Sequence, residues 1–124
     1  VKEYVAMVHG SPPESGDWKD LLWKDSKKNK VFVVKRQRGG VKKARLEFVR
    51  LSAGTQSLVR IRLHTGRSHQ IRVQFSSRDY PLVGDHKYGS RDAQTAPMLY
   101  SCCVTFPYKG ESRSFSSLPL WCNC

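Results

Sequence analysis

The sequence has 124 residues, the length of one domain, and its 22 lysines and arginines against 10 acidic residues give a net charge of +12. This excess indicates a polyanionic partner, with nucleic acid favoured over an anionic membrane because no basic amphipathic helix with a broad apolar face is apparent. No apolar run approaches the roughly 20 residues of a membrane span, which argues against a transmembrane protein.

Alternating apolar residues predict strands along most of the chain. Residues 2–8 predict the first strand, with Tyr4, Ala6 and Val8 on one face. A turn-rich break follows at 10–16. The next residues, up to position 30, receive no element, and a short apolar strand is predicted at 31–34.

The clearest pattern predicts a hairpin. Residues 43–51 and 57–64 both alternate, and the short link between them contains Gly54. In the second strand the side chains expected to point inward are Val59, Ile61 and Leu63.

Residues 68–78 predict the main helix, with Ser68 as its N-cap. Ile71 and Phe75 are four residues apart and are expected to face the core. His69 and Arg72, three apart, are expected to share a different face.

The remainder predicts a Pro- and Gly-rich loop at 79–90 and strands at 98–106 and 112–116. The sum is an α+β fold, a mostly antiparallel sheet with one main helix. No internal repeat or low-complexity linker divides the chain, so residues 1–124 are interpreted as part of one domain.

The four cysteines form a CC pair and a CxC pair, which is not the spacing of a zinc ribbon. Their even number leaves two disulfides open, but free thiols in a reducing compartment are the favoured interpretation. We therefore expect a cytoplasmic protein, with an organelle as the alternative. His64, His69, Asp85 and His86 lack compact ligand spacing, and no metal site is predicted.

A cationic segment extends from Lys24 to Arg45, and Asp25 is the only acid within it. A basic loop-strand-loop unit can follow a phosphate backbone, although a solvated surface is the alternative. The residues predicted to contact RNA here are Lys27, Lys28, Lys30, Lys35, Arg36, Arg38, Lys42 and Lys43.

Two smaller constellations predict a site. Between the hairpin and the helix, Gly66 permits a sharp turn, and Arg67, His69, Gln70 and Arg72 concentrate hydrogen-bond donors as expected for a phosphate or carboxylate cleft. In the first strand, Tyr4 beside the small Ala6 could present its ring to a flat base. A core tyrosine is the alternative.

Three motifs together resemble those of RluA-type RNA pseudouridine synthases. They are K-x-Y-x-A-x-V-x-G at 2–10, L-x-T-G-R-S-H-Q-I-R-V at 63–73 and P-L-V-G-D-x-K-Y-G at 81–89. Their order and spacing fit, and the resemblance extends over almost the whole chain. The last two motifs are highly specific as a pair, whereas the first alone would be weak.

The resemblance implies the C-terminal half of a pseudouridine synthase catalytic domain, which acts on structured RNA such as rRNA or tRNA without a cofactor or metal. It makes Tyr4 the active-site tyrosine against the uracil. It makes Arg72 the arginine that pairs with the catalytic aspartate. Arg67 and His69 are implied to be structural or RNA-facing.

One departure matters. The family's aspartate lies in an H-R-L-D-x-x-T-S-G segment, which does not occur in this sequence, and none of the ten acids matches it. Asp85, within the third motif, is expected to be structural. We therefore expect this chain alone to bind RNA without turnover and to need the N-terminal half of the domain as a partner. The alternative is a non-catalytic RNA-binding module on the same scaffold.

Overall fold

The computed structural model of the chain describes residues 2–102, in which six strands form one antiparallel sheet. The strands are β1 (Lys2–His9), β2 (Ser15–Asp25), β3 (Lys30–Val34), β4 (Val41–Arg50), β5 (Gln56–Leu63) and β6 (Leu99–Cys102). The helix α1 is Gln70–Ser76, and His86–Tyr88 form a single 3-10 turn. Across the sheet the order is β3-β2-β4-β5-β1-β6. The predicted α+β class is confirmed.

The strands predicted from alternation are observed with small shifts of their ends. β4 and β5 form the predicted hairpin, in which Leu46 lies opposite Leu63 and Phe48 lies opposite Ile61. The strand predicted at 98–106 begins at Leu99. Its later part and the strand predicted at 112–116 lie outside the described residues.

Strand β2 was not predicted, because both of its faces mix polar and apolar side chains. Asp20 shares the helix-facing side with Leu22, and its partly buried side chain accepts hydrogen bonds from Gln74 of α1 and from Arg78, which follows α1. A polar residue whose partner is distant in sequence breaks the period-two pattern without breaking the strand. The strand therefore follows from tertiary pairing with β3 and β4.

The prediction that Ser68 caps the helix is wrong. Helix α1 begins at Gln70, and its N-cap is His69, which has a left-handed backbone (φ 50°) and makes no side-chain cap bond. The His69 side chain is instead directed to the hydroxyl of Tyr88. The helix has seven residues and is followed by Asp79 with a φ of 68°, so it is shorter than predicted.

The core lies between α1 and one face of the sheet. Ile71 and Phe75 face it as predicted, and the ring of Phe75 packs 4.7 Å from Trp18 and 5.4 Å from Phe48 between centroids. The inward-facing residues predicted on β5, Val59, Ile61 and Leu63, are at most 9% exposed. This contact fixes α1 on the face of the sheet that also carries Tyr4.

Candidate active site

The buried amide of Gln70 shapes the loop that joins β5 to α1. Its Oε1 accepts hydrogen bonds from the Thr65 hydroxyl at 2.8 Å and from the backbone N–H of Arg67 at 3.0 Å. Its Nε2 donates to the carbonyl of Arg45 on β4 at 3.0 Å. The prediction that Gln70 is a donor of the anion cleft is therefore wrong, because its amide is buried and bonded within the fold.

Arg67 is exposed and anchored at one nitrogen, since its Nε donates to the carbonyl of Lys43 at 2.7 Å. Together with Lys24 and Lys42 it lines a cavity of about 330 Å³ beside Gly66. Three cationic side chains around one cavity can hold a phosphate group. Of the donors predicted to form an anion cleft, Arg67 alone lines this cavity, and the other two cations come from β2 and β4.

His69 and Tyr88 form a hydrogen-bonded pair. The Tyr88 hydroxyl lies 2.9 Å from the backbone nitrogen of Val31, whose N–H it accepts, and 2.7 Å from Nδ1 of His69. The Tyr88 hydroxyl thus bonds both Val31 and His69, and Nε2 of His69 takes no part in this pair. Burial, together with the positive charge of Arg72, lowers the pKa of His69, which favours the neutral ring.

Arg72 is held by Asp85 through two parallel hydrogen bonds. Nε and Nη2 of Arg72 each lie 2.9 Å from a different Asp85 oxygen. The Asp85 side chain is fully buried and that of Arg72 is 20% exposed. The guanidinium carbon also lies 4.9 Å from the centroid of the Tyr88 ring, a cation–π distance. The hydrogen bonds from Arg72 to Asp85 raise the pKa of Arg72, which therefore stays charged.

Asp85 and Tyr88 thus orient Arg72 through the third motif, while its remaining nitrogen, Nη1, takes no part in the pair with Asp85. Sequence reasoning expected a structural role for Asp85 but did not identify Arg72 as its partner. The pairing of Arg72 with a catalytic aspartate stays a prediction, because that aspartate is not among these residues.

Tyr4 lies on β1, opposite Ile61 of β5 and Ser101 of β6. It is partly buried and packs against the core cluster that includes Ile71 and Phe75 of α1. Tyr4 and α1 therefore share one side of the sheet. Within residues 2–102 no hydrogen bond joins Tyr4 to Arg72, so the structure places the two predicted catalytic residues on one face without direct contact.

The loop that carries Asp85 is tied to β1, and hence to Tyr4. The backbone N–H of Val83 donates to a β1 carbonyl at 2.9 Å, and His9 Nε2 lies 2.7 Å from Oδ2 of Asp92. Hydrogen bonds from Ser90, from the backbone of Gly84 and from His9 hold the pKa of Asp92 far below its usual range. These bonds relate the third motif to the first motif in space.

The predicted RNA-contact residues are spread over several elements. Lys27 and Lys28 lie in the β2–β3 turn, Lys30 begins β3, Lys35, Arg36 and Arg38 lie in the β3–β4 loop, and Lys42 and Lys43 lie on opposite faces of β4. In the described part of the chain, no helix is long and apolar enough to cross a membrane, and no cluster of His, Cys, Asp and Glu could hold a metal.

The chain was compared with known proteins. The family model for RNA pseudouridylate synthase matches residues 1–77. The chain is 32% identical over 125 residues to the dual-specificity RNA pseudouridine synthase RluA of Escherichia coli (strain K12), covering 94% of this chain and 56% of that protein. It is 36% identical over 93 residues to the ribosomal large subunit pseudouridine synthase D of Borreliella burgdorferi, covering 73% and 28%.

A solved structure, the human RNA pseudouridylate synthase domain containing 1, matches with a TM-score of 0.71 at 24% identity, over 82% of this chain and 47% of that one. That match supports the fold. The chain spans about half, or less, of the length of these proteins.

Proposed function

We propose an activity on the premise that this chain belongs to the family of RluA-type RNA pseudouridine synthases. Its protein isomerises uridine to pseudouridine in structured RNA, rRNA or tRNA. The observation that carries the proposal is the buried pair of Arg72 and Asp85. Arg72 lies in the second motif, within the residues that the family model matches, and Asp85 fixes its charged guanidinium on the face of the sheet that bears Tyr4.

The reaction breaks the bond between ribose C1′ and uracil N1 and forms a bond from C1′ to C5, after which C5 loses its proton and N1 gains one. The target base must first leave its stack. In this proposal a carboxylate acts at the ribose, Arg72 keeps that carboxylate ionised and oriented, and Tyr4 lies against the uracil and assists proton transfer at C5. Because Arg72 is already held by Asp85 and Tyr88, it need not reorganise during the reaction.

The carboxylate is proposed to come from a segment outside these 124 residues, the N-terminal half of the same domain. Asp85 is a poor candidate for that role, since both its oxygens bind Arg72 and its side chain is fully buried. The 124-residue chain alone is therefore proposed to bind RNA without turnover. RNA binding without isomerisation even in the presence of that segment would favour the non-catalytic binding module instead.

RNA contact on the side of α1 is proposed to use the cavity lined by Lys24, Lys42 and Arg67, which fits a backbone phosphate near the target nucleotide. His69, whose Nδ1 is occupied by Tyr88, would contribute only its Nε2. A cytoplasmic or organellar location remains a prediction.

The proposal is tested by pseudouridine formation with the aspartate-bearing segment present. Arg72→Lys is expected to lower kcat/KM about 100-fold or more, because a point charge cannot replace the bidentate fork. The matched control is Arg78→Lys. Arg78 also binds an aspartate, Asp20, through two nitrogens at 2.7 and 3.3 Å and lies over an aromatic ring, that of Trp18, at 4.3 Å.

Near-normal activity of Arg78→Lys is expected. Equal losses in both variants would mean that Arg72 is merely structural, and would refute its catalytic assignment. Tyr4→Phe is expected to lower activity with RNA affinity retained. Pseudouridine made by the isolated 124-residue chain would overturn the proposal of an external carboxylate.

A further inference from the structure

The face of the sheet opposite α1 carries an apolar strip at β2 and β3. Leu21 lies opposite Val34, and Trp23 lies opposite Phe32. Successive side chains of a strand point to opposite faces, and the intervening Leu22 is buried in the cluster with Val73 of α1. The strip therefore faces away from the candidate active site.

A groove of about 510 Å³ runs along this strip. Leu21 and Val34 contribute apolar surface to it. Its rim is cationic, with Lys19, Lys35, Lys43 and Arg45 among the lining residues.

The one acid that lines the groove, Asp20, is already neutralised. Its Oδ2 accepts hydrogen bonds from Gln74 at 2.8 Å and from Arg78 at 2.7 Å, on the other side of the sheet. The groove thus combines an apolar floor with a positive rim, in which Arg45 is paired with Asp17 and the lysines Lys19, Lys35 and Lys43 supply the remaining charge.

Two aromatic rings extend the strip. The Trp23 and Phe32 centroids are 6.3 Å apart with planes inclined by 33°, and both residues are half-buried. The Arg38 guanidinium lies 5.5 Å from the Trp23 ring, and Lys30 Nζ lies 5.5 Å from the Phe32 ring. Aromatic side chains beside a cationic groove are the features by which proteins bind single-stranded nucleic acid.

We propose that this surface, defined as the Trp23 surface (Leu21, Trp23, Phe32 and Val34 with the rim cations Lys35 and Lys43), binds an unpaired segment of the substrate RNA. A base packs on Trp23 and Phe32, and the adjoining phosphates lie along Lys35 and Lys43. The inference rests on the proposed function only in naming the substrate RNA as the ligand. Charge complementarity argues for RNA, because the rim lysines Lys19, Lys35 and Lys43 line the groove, whereas its one acid, Asp20, is paired with Arg78.

The strand order allows one RNA to reach both faces. β3 is an edge strand of the described sheet. The β2–β3 turn at that edge carries Lys27 and Lys28, which are exposed. A chain leaving the Trp23 surface can pass this turn and reach the cavity of Lys24, Lys42 and Arg67 on the side of α1.

The test is binding of a labelled 12-nucleotide unpaired oligoribonucleotide to the purified protein by fluorescence anisotropy, across a salt series. Trp23→Leu keeps an apolar side chain but removes the ring, and it is expected to weaken binding about 5- to 100-fold, the effect of losing one base–aromatic stack. Replacing Lys35 and Lys43 by glutamine is expected to reduce the salt dependence by about 1.4 in log–log slope. Val49→Ala, an exposed apolar change on the same face, is the control.

Unchanged affinity and salt slope in these variants would overturn the inference. A second measurement is acrylamide quenching of the Trp23 fluorescence without RNA, obtained as the difference between the protein and Trp23→Leu. Absence of quenching would also overturn the inference, because the surface would then be covered by another protein segment. If Arg72-dependent isomerisation is found but Trp23→Leu binds normally, this inference fails and the proposed function stands. If isomerisation is absent but Trp23→Leu weakens binding, the proposed function fails and this inference stands.

Discussion

Replacing Asp85 by asparagine tests how Arg72 is held. Asparagine has nearly the same shape as aspartate, so the change removes charge while preserving packing. The Asp85 side chain is fully buried and both its oxygens accept from Arg72 at 2.9 Å. Asp85→Asn would therefore leave the guanidinium of Arg72 without its counter-charge in a poorly solvated position and would present an amide N–H to a donor.

The magnitude follows from burial. Breaking a buried ion pair by removing one partner costs about 3–5 kcal/mol. The Arg72 side chain is 20% exposed and retains some hydration, so we expect the lower end, about 3 kcal/mol of unfolding free energy. For a domain of this size, that loss lowers Tm by about 10–20 °C.

The measurement is urea and thermal unfolding followed by circular dichroism. The matched control is Asp17→Asn, since Asp17 also binds an arginine, Arg45, by two bonds at 3.0 and 2.8 Å, but both side chains are about 40% exposed. Water and salt screen that pair, so its loss should matter far less. Equal effects of the two variants, or a loss below about 1 kcal/mol for Asp85→Asn, would refute the reasoning.

Three further changes probe the scaffold. Phe75→Ala should cost about 3–5 kcal/mol in urea unfolding, because Phe75 is fully buried between α1 and the sheet; Phe75→Leu should cost clearly less. Gly84→Ala should sharply lower Tm, since Gly84 has a φ of 85° and an added Cβ would lie 1.9 Å from the Ala96 carbonyl oxygen, and a near-native Tm would contradict that geometry. His69→Asn should flatten the pH dependence of stability. Burial lowers the pKa of His69, so the unfolded chain binds a proton that the folded chain does not. The contribution of His69 to the free energy of unfolding is therefore lost as pH falls below 6.5. If His69→Asn leaves the slope of unfolding free energy against pH unchanged between pH 7 and 5, this role is excluded.

Local pattern predicted most of the sheet, because alternation is strong where one face is buried and the other solvated, as on β5. It failed on β2, where Asp20 and Trp18 face the helix side and are paired with Arg78. It also failed at the helix start, where His69 takes a left-handed conformation to reach Tyr88. Both failures involve contacts between residues distant in sequence, which no local pattern contains.

The roles assigned to the candidate site residues stay predictions, and the sequence did not reveal how these residues are connected. The motif resemblance identified Tyr4, Arg67, His69 and Arg72, and the structure places them on or near one face of the sheet. Asp85 and Arg72 are 13 residues apart in sequence, and Arg72 lies in α1 whereas Asp85 lies in the loop that follows it. Asp85 is the one acid in the glycine-containing motif at 81–89, which indicates that it has a cationic partner. Which of the 22 lysines and arginines is that partner could be seen only in the structure.

The position of β1 in the sheet has a consequence for how the molecule assembles. Among the described residues β1 precedes the other strands, yet it pairs with β5 and β6, which follow about 50 and 95 residues later. The β2–β3 and β4–β5 hairpins close short loops, whereas β1 can pair only after β5 and β6 have been synthesised. Pairing between strands so distant in sequence slows folding. Tyr4 therefore takes its place late, and during synthesis on the ribosome the face that carries Tyr4 is completed only after the β6 residues have emerged.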